Sequence, residues 1–326
     1  MSVTKAPAMR WGAAARAARW RPGALDGLAA AAVLAVLVVG AATHRFFTYA
    51  NLKAILTSAS LVGIAALGLT LIVLGGTSVS LAISQTAAVS AMAFLASQSW
   101  GLVAALVVTV VLGAAITGLQ GLVVGYGEAN PIVLTIAASF AITGVATWAT
   151  GGVSVAPTGG GYRHLNATPG GLALSVYLLL ALTVLLEAVL RRTGFGRVLH
   201  LVGENRRAAH AAGLPVGRTI TVAWLAAGAF FAVAAAFSGA FNTSANVNLG
   251  GTLTFDAIAA VLAGGTPITG GRGSAVRTLA GVLLIATVSD LLLLRGYSTG
   301  TQIMVKGLIV LAVIVLAHVR SAKGRR

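Results

Sequence analysis

The sequence contains no cysteine and very little charge. Among its 326 residues there are six acids and no Cys, and Asp, Glu, Lys and Arg together make up 9% of the chain. Without cysteine there is neither a disulfide framework nor a thiolate metal site. A soluble domain carries about 25% charged residues. Since 58% of this chain is hydrophobic, the composition predicts a polytopic membrane protein.

Catalytic and nucleotide-binding motifs are missing as well. The acids show no spacing that would bring two carboxylates together for hydrolysis, and neither an H-E-x-x-H motif nor a His pair at helical spacing occurs. No lysine lies in a G-x-x-x-x-G-K-[ST] phosphate loop. We therefore expect no catalytic residue, metal or cofactor in this chain. If ATP and Mg²⁺ power the protein, they bind a partner subunit.

The basic residues are concentrated beside the apolar runs. The 22 Lys and Arg, which give a net charge of +16, lie mainly in residues 5–21, 191–218 and 320–326. This placement is typical of membrane topology and contact with anionic lipid, and it argues against a nucleic-acid-binding face. The bilayer is therefore the expected partner, with no nucleic acid.

Apolar runs of about 20 residues, the length that crosses a bilayer as a helix, recur along the chain. Two candidates, 83–97 and 254–263, are too short to be assigned by hydropathy alone. The predicted spans are 24–43, 53–74, 83–97, 100–124, 131–150, 171–190, 219–241, 254–263, 276–294 and 303–319.

Charge parity supports both short spans. Short basic segments stay cytoplasmic, which places the tails 1–23 and 320–326 and the loop 191–218 on the same side of the membrane. Even numbers of crossings must then separate them, and only the inclusion of both short spans satisfies this. We predict an all-α polytopic protein with about ten transmembrane helices in a single domain, 24–319, and both termini in the cytoplasm.

The loop 191–218 has features of a docking element. It holds six basic residues, and Asn205 is placed to cap a short helix, 206–212, that Gly213 ends and Pro215 keeps from resuming. A loop that only tethers two spans has no need of a capped helix. We interpret this segment as a contact surface for a cytoplasmic partner.

The acidic residues in or near the predicted spans bear on whether transport is coupled to an ion or proton gradient. Asp256 opens a predicted helix, where an acid favours the positive end of the dipole, and Glu187 is expected to pair with Arg191 at i,i+4. An ion- or proton-coupled secondary transporter, the alternative function, would use a deep, unpaired carboxylate or an ion site at a broken helix. The sequence offers no clear candidate.

Several sequence blocks, in order, resemble the permease subunits of ribose-type (simple sugar) ATP-binding-cassette importers. They cover about residues 47–314. The blocks are 51–52 with 66–70; 130–131 with 135 and 150–152; 193–197 with 203, 205 and 208–213; 256–260 with 264–266 and 270–274; and 305–307.

The resemblance implies a fold similar to that of the vitamin B12 importer permease, in a bacterial cytoplasmic membrane. It implies cytoplasmic ATPase subunits, a second permease copy or a related permease, and an extracytoplasmic solute-binding protein. The transported solute would be a monosaccharide or a similar polyhydroxylated molecule, moved by alternating access. The expected ATPase-coupling residues are Gly196, Arg197, Gly203, Glu204, Asn205, Arg206, Arg207, Ala208, Ala209 and Gly213.

One block departs from the family pattern. Where the family commonly has Gly-Gly-Ile-Asp-Leu-Ser-Val-Gly, this chain has Ser78 in place of the Asp and Ala82 in place of the last Gly. Either the solute differs from the usual sugars, or that Asp is structural and Ser78 serves as a cap. Polar residues that are candidates for the translocation pathway are Asn51, Ser78, Ser80, Gln85, Asn130, Asn248 and Asp256, although capping explains most of them equally well.

Overall fold

The structure, a computed structural model, is entirely α-helical in the part of the chain that it describes. It describes residues 40, 43 and 46–323, with the side chains of 313, 314 and 316–323 excepted. Within these residues the only β-type pairing is one isolated bridge between Val155 and Ala245. The predicted fold class, an all-α polytopic protein, is confirmed.

The helices follow the hydropathy pattern closely. In chain order they are α1 Tyr49–Leu74, α2 Ile83–Ala96, α3 Leu102–Tyr126, α4 Pro131–Thr150, α5 Leu174–Arg192, α6 Gly194–Glu204, α7 Arg206–Ala211, α8 Val216–Asn242, α9 Leu253–Ala263, α10 Ala275–Leu294 and α11 Thr299–Lys323. Three short 3₁₀ turns lie at 98–100, 161–166 and 169–171.

Nine of the ten predicted spans lie in the described residues, and each corresponds to a helix. By length and composition, α1, α3, α4, α5, α8 and α10 can cross a membrane, whereas α2 and α9 are shorter apolar helices. The remaining predicted span, 24–43, lies almost entirely outside the described residues. The tail 1–23 and residues 324–326 lie outside them as well.

The centre of the bundle is formed by α1 and α8. The side chains of Trp224 and Phe231 on α8 are completely or almost completely buried. Helix α3 crosses α8 so closely that a Cβ placed on Gly113 would lie 2.8 Å from the carbonyl oxygen of Gly228. Lipid provides no hydrophobic drive for helices to associate, so close backbone approach through small residues supplies the packing energy.

The two short helices begin inside the bundle. Helix α1 ends at Gly75-Gly76, and the chain then runs through a non-helical segment, 77–82, before α2 starts. At the start of α2, the backbone N–H and the Oγ of Ser84 lie 2.9 and 2.8 Å from Oγ1 of Thr254, in the first turn of α9. The N-terminal ends of α2 and α9 therefore meet.

This meeting point lies at mid-span. Leu61, near the middle of α1, lines the same cavity as Thr252 and Leu253 at the start of α9. The two helices are shorter than the other apolar helices, with 14 residues in α2 and 11 in α9. We refer to them as the paired broken helices.

One helix was missed by the sequence analysis. The segment 194–204 was interpreted as part of a loop but forms α6, whose N-cap Thr193 accepts a hydrogen bond from the N–H of Gly196. Leu199 and Val202 on this helix are buried in the core. The apolar spacing 195, 198, 199, 202 is that of one helical face and was the available signal.

Candidate functional site

The segment 191–218 is a compact, folded surface at one end of the bundle, which we call the basic end. Helices α6 and α7 form it. Of the predicted coupling residues, Gly196, Gly203 and Ala209 are buried against the bundle and Arg206 is half-buried. The side chains available to a partner are exposed, namely Arg197, Glu204, Asn205, Arg207 and Ala208, with Gly213 also exposed.

Helix α7 has the predicted cap. Oδ1 of Asn205 accepts a hydrogen bond from the N–H of Ala208 at 2.9 Å, and the helix runs Arg206–Ala211, one residue shorter than expected. Gly213 follows with a φ of +76°, the left-handed conformation that favours glycine and ends a helix.

Arg206 fixes α7 to the bundle. Its Nη2 donates to the carbonyl oxygens of Val124 and Gly125 at 3.2 and 2.9 Å. These carbonyls belong to the last turn of α3, where the helix dipole favours a cation. The Arg206 guanidinium is thus used within the chain, while Arg197 and Arg207 project outward.

The predicted ion pair at the end of α5 is present and extends further than expected. Glu187 pairs with Arg191 through Oε1. Its Oε2 accepts hydrogen bonds from the Oγ of Ser274 and the N–H of Ala275 at 2.9 and 2.8 Å. One carboxylate therefore caps the start of α10 and connects it to the basic surface.

A cavity of about 290 Å³ lies beside the paired broken helices, and we call it the central cavity. Its walls are mostly small side chains and backbone, together with a single carboxylate. They are contributed by α1, α2, α8 and the segment 249–256. The polar groups at this cavity belong to Ser238, Thr252 and Asp256, and the unwound backbone at Gly250 and Gly251 is also part of the wall.

Asp256 forms a buried ion pair with a residue 50 positions away. Its Oδ1 lies 2.7 Å from Nζ of Lys306 on α11, and the two side chains are only 11% and 14% exposed. Its Oδ2 accepts a hydrogen bond from Oγ1 of Thr252 at 2.7 Å. The expected position in the first turn of a helix is confirmed, but the partner Lys306 was missed because sequence spacing cannot reveal contacts between distant helices.

The predicted pathway residues do not form one cluster. Asn51 lies at the opposite end of α1 from the basic end, where Nδ2 donates to Oδ2 of Asp290 at 2.7 Å. Asn130 caps α4 by accepting from the N–H of Ile132 at 3.0 Å. Both have structural partners.

Ser78 and Ser80 lie in the non-helical segment that joins α1 to α2. Ser78 adopts a φ of +60°, a conformation that Asp tolerates better than most residues. This is a structural reason for an Asp at that position. Ser78 does not cap α2, which has Ala82 as its N-cap residue and no side-chain cap. The buried Ser80 accepts from the N–H of Ala82 at 3.4 Å.

Gln85 lies at the start of α2, and Asn248 lies in the segment that precedes α9. The Oε1 of Gln85, in the first turn of α2, is buried without a hydrogen-bond partner. The backbone N–H of Asn248 bonds to Oδ1 of Asn246 at 2.9 Å in the segment before α9. In the described part of the chain, no group of three or more His, Asp or Glu is arranged to hold a metal ion.

The fold and these features are those of a polytopic membrane protein, with a basic surface at one end and broken helices around a central cavity. The chain belongs to the family described as branched-chain amino acid transport system / permease component, whose sequence model matches residues 51–317. As a permease it is a transport component. No solved structure matches it, so the likeness to the vitamin B12 importer permease remains an expectation.

Proteins similar to this chain include permeases of import systems for ribose and for autoinducer 2. Ribose import permease protein RbsC of Bacillus subtilis (strain 168) is 29% identical over 292 residues, which cover 88% of this chain and 90% of that protein. RbsC of Escherichia coli (strain K12) is 28% identical over 298 residues, 88% and 91% of the two chains. Autoinducer 2 import system permease protein LsrD of Photorhabdus luminescens is 27% identical over 298 residues, 88% and 89%. The resemblance to ribose-type permeases is confirmed.

Proposed function

We propose that the chain is the transmembrane permease subunit of an ATP-driven importer for a monosaccharide or a similar polyhydroxylated solute. Alternating access of the permease would be coupled through residues 191–218 to separate ATPase subunits that bind ATP and Mg²⁺. The solute class is supported by the names of the similar permeases, which import ribose and autoinducer 2.

The form of the 191–218 surface carries this proposal. An element that transmits movement from an ATPase must be rigid where it joins the membrane domain and exposed where it meets the ATPase. Helices α6 and α7 meet both requirements, since Gly203 and Ala209 are buried, Arg206 is bonded to α3, and Arg197 and Arg207 are exposed. Two cations on an anchored, protruding element fit an acidic cleft on an ATPase.

The topology follows from the same surface. We place the basic end in the cytoplasm of a bacterial cell, together with the basic tails 1–23 and 320–326 that flank the domain 24–319, because short basic segments stay cytoplasmic. The opposite end faces the solute-binding protein. Trp100, in the 3₁₀ turn that follows α2, and Trp148, in the last turn of α4, lie near that end. They are 71% and 85% exposed, as expected for aromatic residues at a membrane interface.

A second permease copy, or a related permease, is part of the proposal because of α4. Only Thr135 and Ala146 on this helix are buried, whereas Phe140 and Val145 are 75% and 66% exposed. A span that packs so little within its own chain is available to a neighbouring permease.

The alternative, an ion- or proton-coupled secondary transporter, is disfavoured by the Asp256 contacts. Proton coupling uses a carboxylate that changes its charge during the cycle. The Asp256 carboxylate is held by Lys306 and Thr252 together, and a neutral Asp256 would leave the buried ammonium of Lys306 without its counter-ion.

The test is reconstitution with a candidate ATPase and solute-binding protein from the same genome. We expect stable co-purification and uptake of ribose into proteoliposomes only when ATP is enclosed on the ATPase side. The double variant Arg197→Glu/Arg207→Glu should lose the ATPase, because two exposed cations of the docking surface are reversed. The control Arg163→Glu changes an exposed arginine on the connection between α4 and α5 and should retain it.

Two results would contradict the proposal. Solute uptake by the purified chain alone, driven by an ion gradient, would favour the secondary transporter. Retention of the ATPase and of ATP-driven uptake in the double variant would refute the coupling role of the 191–218 surface. Uptake of another polyol in place of ribose would change the solute and leave the class intact.

A further inference from the structure

Three segments of the chain meet at backbone contact at the basic end. Gly203 of α6 lies against the carbonyl oxygen of Leu74 and against Gly271, such that a Cβ at position 203 would collide with Leu74 and lie 2.5 Å from the Gly271 nitrogen. A Cβ on Gly76 would lie 3.0 Å from the Cα of Gly203. We call Gly76, Gly203, Gly270 and Gly271 the glycine junction.

Hydrogen bonds and one ion pair connect the three segments of this junction. The N–H of Gly271 donates to the carbonyl of Leu74 at 3.0 Å, and Nδ1 of His200 lies 2.9 Å from the carbonyl oxygen of Gly271. On the outside, Nε of Arg272 and Oε1 of Glu204 are 3.6 Å apart. The end of α1, helix α6 and the loop 264–274 are therefore bonded into one unit.

The junction continues directly into the paired broken helices. From Gly76 the chain passes to Thr77, whose Oγ1 accepts from Nε1 of the buried Trp224 at 3.1 Å. The N–H of Leu81 then donates to Oγ1 of Thr135 at 3.1 Å. Two residues later α2 begins, and Ser84 bonds to Thr254 of α9.

The loop 264–274 connects the glycine junction to the second broken helix, α9. The loop 264–274 follows α9 directly, so a displacement of Gly270 and Gly271 acts on α9 from its C-terminal end. Asp256 and Thr252, at the other end of α9, line the central cavity. Both broken helices are thus attached to the junction, one through 77–82 and one through 264–269.

Resting on the proposed function, we propose that the glycine junction transmits the movement of α6 to the paired broken helices and thereby changes access to the central cavity. Gly203 and His200 are positioning residues in this device. Contacts between backbones contain no rotatable side chain that can absorb a displacement, and close-packed interiors transmit strain. Because the backbone of α6 at Gly203 is in direct contact with Gly76 and Gly271, a displacement of α6 displaces these two residues as well.

The experiment exploits the absence of cysteine. A single reporter, Ser238→Cys, lines the central cavity and is labelled with N-ethylmaleimide in the complete complex with its ATPase, in the absence of nucleotide and after trapping with ATP and vanadate. In the otherwise unmodified complex we expect trapping to change the labelling rate by about fivefold or more, the lower end of typical coupling between sites.

Two alanine variants on the same helix separate transmission from general disturbance of α6. Gly203→Ala places a methyl group against Leu74 and Gly271, and we expect the nucleotide-dependent change in labelling to be lost. Gly194→Ala, at the start of α6, adds the same methyl where no atom lies within 4 Å, and the change should be retained. His200→Ala adds no volume, removes the hydrogen bond to Gly271 and should reduce the change. It replaces Gly203→Ala as the test if Gly203→Ala does not fold.

Each outcome has a defined meaning. If those of Gly203→Ala and His200→Ala that fold respond like the unmodified complex, the inference is overturned while the proposed function stands. The inference is overturned as well if Gly194→Ala loses the response. If the unmodified complex itself shows no nucleotide-dependent change, the coupling role of 191–218 and the inference that rests on it both fail. Loss of the response in Gly203→Ala or His200→Ala, with retention in Gly194→Ala, supports transmission through the junction.

Discussion

Helices α8 and α4 look alike in sequence and differ in their packing. Both are uninterrupted apolar spans, with mean hydropathies of 2.1 and 1.8 over their most apolar windows, yet 61% of that window is buried in α8 and 11% in α4. Helix α8 buries Trp224 and Phe231 together with several glycines and alanines. Helix α4 instead presents Phe140, Val145 and Trp148 outward. Hydropathy therefore identifies both as spans without indicating which one forms the centre of the bundle.

Close packing in this protein therefore depends on local backbone contact. Gly228 on α8 and Gly113 on α3 face each other so that each occupies the space that a Cβ of the other would need. Gly144 on α4 has no atom within 4 Å of its Cβ position. A larger side chain should therefore be excluded at Gly228 and tolerated at Gly144, and mutation can measure this difference.

One of the two largest effects is expected for Gly228→Leu. The side chain would be forced into the backbone of α3, and we expect a loss of at least about 3 kcal/mol of stability, the upper end of overpacking costs. Gly144→Leu, the matched control on α4, should change stability by less than about 0.5 kcal/mol. Thermal unfolding of the detergent-purified variants measures both, and equal midpoints for the two variants would contradict the assignment of α8 as the packed helix.

An effect of similar size is expected where α9 and α11 are joined. Asp256→Asn leaves the Lys306 ammonium buried without its partner, which costs about 3–5 kcal/mol when a buried pair is broken. The double variant Asp256→Asn/Lys306→Met removes both charges and should recover most of that loss. If the single variant unfolds at the temperature of the unmodified protein, the pair does not hold α9 to α11.

Much of the architecture was available from the sequence. The span 131–150 was predicted with the bounds of α4, because Asn130 and Pro131 mark its beginning. The short spans 83–97 and 254–263 were retained only through charge parity, and they correspond to α2 and α9. Asn205 and Gly213 were sufficient to predict α7, since capping is a local property of the chain.

The parts that were missed depend on contacts between distant residues. Lys306 lies in the block 305–307 that resembles the permease family. Its pairing with Asp256 depends on α9 and α11 lying side by side, which the sequence does not reveal. Gly203 was included in the coupling loop, but nothing near it in sequence indicates that it meets Gly76 and Gly271. The sequence predicts Arg206 and Arg207 alike as ATPase-coupling residues, whereas the hydrogen bonds of Arg206 to the end of α3 distinguish it from Arg207.

The smallest effect on stability, and the sharpest test of α4, is expected for Phe140→Cys. Phe140 lies in the middle of α4 and is 75% exposed, so its replacement should cost little within one chain. If α4 faces a second permease, the introduced thiol should cross-link two copies, or two related permeases carrying the equivalent change, under mild oxidation in the membrane. The absence of natural cysteine makes any disulfide dimer attributable to this position.

Val184→Cys provides the control for that test. Val184 is 70% exposed near the middle of α5 and has the same apolar character, but α5 packs against α1 and α6 and already has partners within its own chain. We expect it to remain uncross-linked under the same conditions. Cross-linking at Val184 without cross-linking at Phe140 would place the second permease against α5 and leave the exposed face of α4 to lipid.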